Sequence, residues 1–194
     1  MSVERTNPAG DRMGDIPAPT DDPHERAEWI RAAVRQHERQ LVAYAANLVG
    51  DSERARDIVQ EAFVRLCVQD RGKIEAHLAE WLFRVCRNLA VDIRRKERRM
   101  NLLSEEQSGV LGSAEPEPSY AAERDDSYAS VIKAMSVLPK NQQEVIRLKF
   151  QHGLSYKEIS VVTNLTVTNV GFLIHTGLKA LRERFGNVQP MNPL

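Results

Sequence analysis

The spacing of arginines in one stretch of this sequence indicates a ligand, and that ligand is a polyanion. The stretch WLFRVCRNLAVDIRRKERR contains Arg84, Arg87, Arg94, Arg95 and Arg98. At about 100° per residue, these side chains lie on the helix face opposite the apolar stripe. Such a face can follow a row of phosphates, with an affinity that falls steeply as salt increases. A solvated charged face has the same pattern, so both interpretations remain open.

A second pattern, near the C-terminus, is typical of a helix-turn-helix. Ser155 and Glu158 have capping-box spacing at the start of its first helix. Asn164 stands at the turn, where its side chain tolerates left-handed backbone. Leu165 and Val170 follow at the expected apolar intervals. The alternative is a plain helical hairpin that packs a small core.

The second helix of this pair carries no Lys, Arg, Asp or Glu between Thr166 and Gly177. Its hydrogen-bonding side chains can pair with base edges, and an aromatic ring can touch a thymine methyl. Gly171 would leave room for the DNA backbone or a close partner. The residues predicted to contact DNA here, including the lysines that supply phosphate contacts, are Lys157, Thr166, Thr168, Asn169, Phe172, Thr176 and Lys179.

The elements that must position these residues are helices, because helical periodicity recurs along the chain and no strand signal is present. The sequence predicts an all-α fold of two small helical domains, a three-helix N-terminal bundle and a C-terminal helix-turn-helix domain, joined by a flexible acidic linker. A loop is predicted at 70–75. The predicted boundaries are 1–23 for a disordered tail, 24–100 for the bundle, 101–126 for the linker, 127–186 for the second domain and 187–194 for a tail.

The predicted core follows the apolar stripes of the helices. The third helix of the bundle is predicted to turn Leu82, Val85, Leu89 and Ile93 inward, and the helix after Pro139 to use Val145, Ile146, Leu148 and Phe150. Trp81 is predicted to pack in the core. Cys67 and Cys86 lack zinc-site spacing, so we expect two buried thiols and no metal site or disulfide framework.

Charge distribution favours a nucleic-acid partner although the formal net charge is zero. Residues 71–100 hold nine Lys and Arg against four Asp and Glu, and residues 127–186 hold eight against three, whereas residues 101–126 hold one against seven. No catalytic constellation, cofactor motif or small-molecule site is recognisable. The N-terminus lacks an apolar signal region, and no apolar run reaches membrane-spanning length. The sequence therefore predicts a cytoplasmic, non-enzymatic protein without a cofactor.

Three segments together resemble the extracytoplasmic-function sigma factors, the small specificity subunits of bacterial RNA polymerase. They are RDIVQEAFVRL (56–66), AEWLFRVCRNLAVDIRRKERR (79–99) and LPKNQQEVIRLKFQHGLSYKEIS (138–160). The resemblance covers about residues 25–100 and 127–186. It implies polymerase binding by the first segment, promoter melting and minus-ten reading by the second, and minus-thirty-five binding by the domain that the third begins.

The resemblance also implies roles for matched positions. The polar side of 56–66, with Asp57, Gln60, Glu61 and Arg65, would face the polymerase core, built around its beta and beta' subunits. Asn88 would join the arginines of the second segment at the minus-ten region, and Asp92 would pair with a neighbouring arginine. The loop 69–75 would hold a flipped non-template base. The acidic linker would run through the polymerase cleft, although a solubilising tether between the domains explains its composition equally well. An anti-sigma factor is left open as a further partner.

Some positions depart from the family pattern, notably Arg56, Cys67 and Gln143. In the last helix, Gly171 and Phe172 stand where the family commonly has basic residues, so promoter preference does not transfer there. Two other functions remain open. A stand-alone helix-turn-helix regulator would bind duplex without polymerase, and a helical interaction module would be insensitive to substitution of Arg94 or Arg95 in any DNA-dependent assay.

Overall fold

The computed structural model describes residues 22–105 and 133–186, and all its regular elements there are helical. The predicted C-terminal tail lies outside these ranges, and so does the predicted N-terminal tail except for Asp22 and Pro23. Most of the predicted acidic linker also lies outside them. The first five positions of that linker are helical, because the last helix of the N-terminal half continues to Glu105. The all-α prediction is confirmed.

Seven helices can be followed in the described ranges, together with a helical turn at 133–136 and a 3-10 turn at Glu75–His77. They are α1 (Pro23–Val49), α2 (Ser52–Cys67), α3 (Arg71–Ile74), α4 (Leu78–Glu105), α5 (Lys140–Phe150), α6 (Tyr156–Thr163) and α7 (Val167–Gly186). No one of these helices is long and apolar enough to cross a membrane. Only α6 and α7 taken together reach that length and composition, and a 103° bend separates them.

The N-terminal half is a bundle in which α1, α2 and α4 pack against one another. Gly50 ends α1 in the left-handed conformation, at φ 76°, where a residue without Cβ avoids strain. Asp51 then caps α2 by accepting hydrogen bonds from two backbone N–H groups. Leu41 and Ala45 of α1 and Leu66 of α2 are completely buried between the helices. Trp81 is buried in this core, as predicted.

The predicted loop at 70–75 is instead made of two short helical turns. Asp70 accepts a hydrogen bond from the N–H of Gly72 and so caps α3. The 3-10 turn Glu75–His77 follows directly and leads into α4. A side-chain cap at Asp70 is enough to start a turn of helix, although the segment is too short to show helical periodicity.

The buried face of α4 is wider than its apolar stripe predicts. Leu82 is completely buried, but the other predicted positions, Val85, Leu89 and Ile93, are only half-buried. Phe83, Cys86 and Ala90 are buried as well. The C-terminal half contributes to this burial, because its helix α6 packs against α4 and the ring of its His152 contacts Phe83. Periodicity in one helix cannot reveal a partner that arrives from another domain.

Two further burial predictions were wrong for a simple geometric reason. Cys67 is exposed and only Cys86 is buried, because Cys67 is the last residue of α2 and points away from its buried neighbour Leu66. Phe150 is 60% exposed, although Val145 and Leu148 of the same helix are fully buried. It ends α5 about 200° around the helix from Leu148.

Candidate DNA-binding and polymerase-binding surfaces

The exposed side of α4 presents four arginines and an asparagine. Arg84, Arg94, Arg95 and Arg98 are all exposed, as is Asn88. Within the described ranges none of these arginines has an ion-pair partner, and neither has Asp92. The pairing expected for Asp92 is therefore absent from this structure. Glu97 instead forms an exposed ion pair with Arg54 of α2.

Arg87 differs from the other predicted DNA-binding arginines because it is engaged by the C-terminal half. Its Nε donates to Oε1 of Glu144 on α5 at 2.7 Å, and its Nη2 lies 3.4 Å from Oε2. The hydroxyl of Tyr44 on α1 donates to the same Oε1 at 2.9 Å. Burial works to lower the pKa of Arg87, but the hydrogen bond and charge of Glu144 outweigh it and raise that pKa.

An aromatic cluster extends this contact between the two halves. The ring of His152, in the turn after α5, lies 4.8 Å from Phe83 and 5.9 Å from Tyr44, measured between centroids. Burial, followed by the charge of Arg147, lowers the pKa of His152 to about 4. In the described part of the chain neither ring nitrogen has a hydrogen-bond partner. We call this group, formed by Tyr44, Phe83, Arg87, Glu144 and His152, the interdomain contact.

The outer side of α2 carries the predicted polymerase-binding residues. Asp57 and Gln60 are exposed, while Glu61 and Arg65 pair with each other at 2.8 Å. The sequence did not single out the apolar part of this surface, where Val64 and Val68 are 56% and 69% exposed. The signal was available, since Val64 interrupts the polar side of the helix. A shallow depression of about 450 Å³ beside them is lined in part by Gln60, Phe63 and Cys67.

The loop 69–75, predicted to hold an unpaired base, continues into the 3-10 turn Glu75–His77, and this whole segment, 69–77, borders a cleft of about 400 Å³. Trp29 and Gln36 of α1 line one wall, and Glu75, His77 and Leu78 line the other. Glu158, from the C-terminal half, also lines the cleft. Both halves of the molecule therefore contribute to the cleft beside this segment.

The helix-turn-helix forms as its local signals predict. Ser155 and Glu158 make a complete capping box at the start of α6. Asn164 adopts the left-handed conformation at φ 56° and ψ 35°, which closes the turn. Thr166 then caps α7, since its hydroxyl accepts a hydrogen bond from the N–H of Asn169 at 3.2 Å. Of the predicted contact residues, Thr166 is thus already engaged in shaping the helix start.

The outward face of α7 is open and carries no charged side chain from Thr166 to Gly177. Thr168, Asn169 and Lys179 are exposed, and Phe172 is 62% exposed. Lys157 is exposed at the start of α6, beside this face in the helix-turn-helix.

Thr176 is placed differently from the other predicted contacts. It is half-buried, donates its hydroxyl to the carbonyl of Phe172 at 2.8 Å, and accepts a hydrogen bond from Gln142 of α5.

Two glycines of α7 have different surroundings. A Cβ built on Gly177 would lie 2.7 Å from Cδ1 of Ile146, so a side chain here would have to displace Ile146 of α5. A Cβ on Gly171 would lie 3.6 Å from the ring of Tyr156, an ordinary contact distance. Close packing within the domain therefore occurs at Gly177, while the room that Gly171 would leave for DNA or a partner stays a prediction.

Comparison with known proteins assigns the family. The family described as Sigma-70 region 2 matches residues 33–100, and the family described as Sigma-70, region 4 matches residues 128–181. The ECF RNA polymerase sigma factor SigL of Mycobacterium tuberculosis is 30% identical over 159 residues, which cover 80% of this chain and 88% of SigL. SigM of Bacillus subtilis, another ECF sigma factor, is 30% identical over 145 residues, covering 73% and 87%.

The fold is also shared with a solved structure. The sigma factor RpoE of Bartonella quintana, solved in complex with the anti-sigma factor NepR, superposes with a TM-score of 0.58 at 19% identity. The match covers 86% of this chain and 99% of that one, and at this identity it supports the fold alone. The two region matches and the identity to SigL show that the chain belongs to the extracytoplasmic-function (ECF) sigma factors of RNA polymerase.

Proposed function

We propose that this sigma factor divides promoter recognition between two surfaces of different chemistry. The exposed arginines of α4 that have no ion-pair partner among the described residues supply affinity for phosphates in the melted minus-ten region. The neutral outer face of α7 selects the sequence of the minus-thirty-five element. The observation that supports this division is the contrast between the two faces, one rich in free guanidinium groups and the other without charge from Thr166 to Gly177.

At the minus-ten region, Arg84, Arg94, Arg95 and Arg98 would follow the backbone of the opened strand, with Asn88 among them. The segment 69–77 would hold an unpaired non-template base beside its cleft, which has a volume of about 400 Å³. Extruding a base costs a few kcal/mol, and a shaped pocket offsets that cost.

At the minus-thirty-five element, Thr168, Asn169 and Phe172 would meet the base edges in the major groove. Thr and Asn side chains can donate and accept at base edges, and Phe can touch a thymine methyl. Lys157 and Lys179 would contact phosphates. Thr176 and Thr166 would contribute mainly by fixing α7, since both hydroxyls are engaged within the domain.

Polymerase binding would use the outer side of α2. Asp57 and Gln60 offer polar contacts, and the exposed Val64 and Val68 offer the apolar area that a stable interface needs. Glu61 and Arg65 would contribute as a pair. We expect the core enzyme, through its beta and beta' subunits, to cover this surface.

Promoter binding would also separate the two halves. The minus-ten and minus-thirty-five elements lie roughly 85 Å apart along B-DNA, at about 3.4 Å per base pair. In this structure the halves are in direct contact through Arg87 and Glu144. The 27 residues between Glu105 and Lys133 can bridge roughly 90 Å when extended. We therefore expect the interdomain contact to break when both elements are bound, which frees Arg87 for the phosphates.

Because its relatives act with RNA polymerase, we place the protein in the cytoplasm and propose that it acts by binding, without covalent chemistry of its own. The structural neighbour RpoE binds an anti-sigma factor, and a regulator of that kind is a candidate partner here. A region that must separate from its partner half in order to work is a natural target for such a regulator.

Transcription from a randomised promoter library with core polymerase tests this function. The purified chain should support run-off transcription only with core enzyme and should enrich one pair of promoter elements. Asp57→Ala should weaken transcription, while Glu53→Ala, at an exposed acid one turn earlier on α2, should not. A specific duplex complex formed by the chain alone, without any core-dependent transcription, would favour the stand-alone regulator instead.

A further inference from the structure

Arg26, on the first turn of α1, is a buried arginine that no sequence pattern singles out. It is 9% exposed, and its side chain reaches the far end of α2. Its Nη2 donates to the carbonyl of Cys67 at 2.8 Å and to the carbonyl of Gln69 at 2.5 Å. The last carbonyls of a helix lack intrahelical partners and favour a cation nearby. Arg26 thereby fixes the point where α2 ends and the segment 69–77 begins.

Trp29, one turn further along the same side of α1, contacts the middle of that segment. The guanidinium carbon of Arg71 lies 5.7 Å from the centroid of a Trp29 ring, a cation–π distance. Arg71 in turn pairs with Glu75 at 2.8 Å. Trp29 also lines the cleft of about 400 Å³ whose opposite wall contains Glu75. The first two turns of α1 thus support both the start and the wall of the segment.

The bundle does not need these contacts in order to pack. Ala33, Leu41 and Ala45 of α1 are all at most 3% exposed and attach the helix to its neighbours. Burial of a guanidinium group is costly unless its hydrogen bonds are satisfied. A buried arginine that donates to two loop-proximal carbonyls is therefore better explained by the shape of the segment than by core stability.

We propose that Arg26 and Trp29 are positioning residues for promoter opening, which hold the segment 69–77 in the shape that accepts an unpaired base. The proposal rests on the base-holding role given to this segment above. Neither Arg26 nor Trp29 is proposed to contact DNA. Their contribution is that the segment is already shaped before the base arrives, so that capture of the base carries no additional ordering cost.

The test combines protein variants with abasic DNA. Abasic sites are first scanned through the non-template strand of the melted region, and the position that most slows opening by the unaltered holoenzyme is chosen. Open complexes are then measured by permanganate reactivity on intact and abasic promoters with Arg26→Gln. Arg31→Gln is the matched control, because Arg31 lies on the same helix with its side chain 60% exposed.

Arg26→Gln removes hydrogen bonds that come from a charged donor. We therefore expect it to slow opening of the intact promoter about tenfold. On the abasic promoter the same variant should cause almost no further loss, since the base that the segment would hold is missing. Arg26→Lys should recover most of the rate, because an ammonium group can still reach a carbonyl. Arg31→Gln should leave both rates unchanged, and core binding should be the same for every variant.

Three results overturn the proposal. Equal losses on intact and abasic promoters would make Arg26 a general stabiliser of the fold. If no abasic position slows the unaltered holoenzyme, the base-holding role of the segment fails, and the positioning role fails with it. Should Arg26→Gln not fold, Trp29→Phe replaces it, with a smaller loss of two- to threefold expected and the same dependence on the base; a loss independent of the base would again refute the proposal.

Discussion

The two proposed DNA-binding surfaces of this sigma factor differ in the charge of their exposed side chains. The face of α4 presents Arg84, Arg94, Arg95 and Arg98 without ion-pair partners in the described chain, whereas the outer face of α7 presents Thr168, Asn169 and Phe172. Guanidinium groups attract any phosphate, so they add affinity with little regard to sequence. Neutral hydroxyl and amide side chains can also hydrogen-bond phosphates, but they lack the long-range attraction of a full charge, and their pairing with base edges is what depends on sequence.

A recognition helix without charge can therefore still belong to a DNA-binding protein. Affinity can come from another part of the same chain, provided that both parts bind one DNA molecule at once. Arg87 is the exception on α4, because Glu144 of the other half already occupies it. The interdomain contact thus joins the arginine face of α4 to the domain that carries the uncharged face of α7.

The largest expected effect comes from removing the free charge on α4. The triple substitution Arg94→Ala, Arg95→Ala and Arg98→Ala should lower promoter affinity of the holoenzyme by roughly 100-fold near 0.1 M salt, and should reduce the slope of log K against log salt by about 2. Binding titrations at several salt concentrations measure both quantities. Thr168→Ala with Asn169→Ala is the control and should leave the slope unchanged. An unaltered slope in the triple variant would mean that these arginines form a solvated face.

A second prediction concerns acidity and the interdomain contact. His152 has a pKa of about 4 in the contact and about 6.5 once exposed. A group whose pKa is lowered in the closed state binds fewer protons there, so the contact is favoured above pH 6.5 and weakens as pH falls toward 4. Between pH 7 and pH 5 the contact should lose about 2 kcal/mol. The groups that face the ring are Tyr44, Phe83 and Arg147. The hydroxyl of Tyr44 in turn donates to Glu144, which also accepts from Arg87.

Small-angle scattering of the free chain measures this opening. The radius of gyration of the unaltered protein should rise between pH 7.5 and pH 5, and that of His152→Phe should rise less, since Phe cannot take up a proton. His37 also has a pKa lowered by burial, but it lies in the N-terminal bundle and is common to both proteins. Identical expansion of the two proteins would exclude His152 as the sensitive group.

How far the sequence predicted this molecule differs between local and long-range features. The capping box at Ser155, the left-handed Asn164 and the exposed Phe172 all follow from nearby residues, and all were predicted correctly. The contact of Arg87 with Glu144 spans 57 positions and leaves no local signal. The extra buried face of α4 was missed for the same reason.

Missed features near the proposed sites share this long-range character. Arg26 is an ordinary arginine in the first turn of an amphipathic helix until α2 brings two carbonyls to it. Gly177 resembles Gly171 in sequence, and only the position of Ile146 distinguishes them. Residue types indicate what chemistry a surface can perform, but partners from distant segments decide which members of a pattern are free to perform it.

Gly171 and Gly177 of α7 give a third prediction, of about 1 kcal/mol in the free energy of unfolding. A Cβ at Gly177 would overlap Cδ1 of Ile146, which is only 5% exposed and has little room to move. Gly177→Ala should therefore lower the midpoint of thermal unfolding, because overpacking typically costs about 1–3 kcal/mol and the gain in helix propensity recovers only part of it. Gly171→Ala is the matched control and should raise the midpoint, since its Cβ finds ordinary contact distances. Shifts of the same sign would contradict the packing that holds the neutral face in place.

The smallest effect is the most informative about the neutral face. Asn169→Ala and Phe172→Ala should each change the ranking of minus-thirty-five sequences by several-fold, because single base-edge contacts discriminate by roughly 1 kcal/mol. Lys157→Ala should instead weaken every promoter by a similar factor, since a phosphate contact carries no base information. Competitive selection from a library randomised upstream measures all three rankings together. If the first two variants lowered all promoters equally, as Lys157→Ala should, α7 would add only affinity, and selection would have to lie in the melted region beside α4.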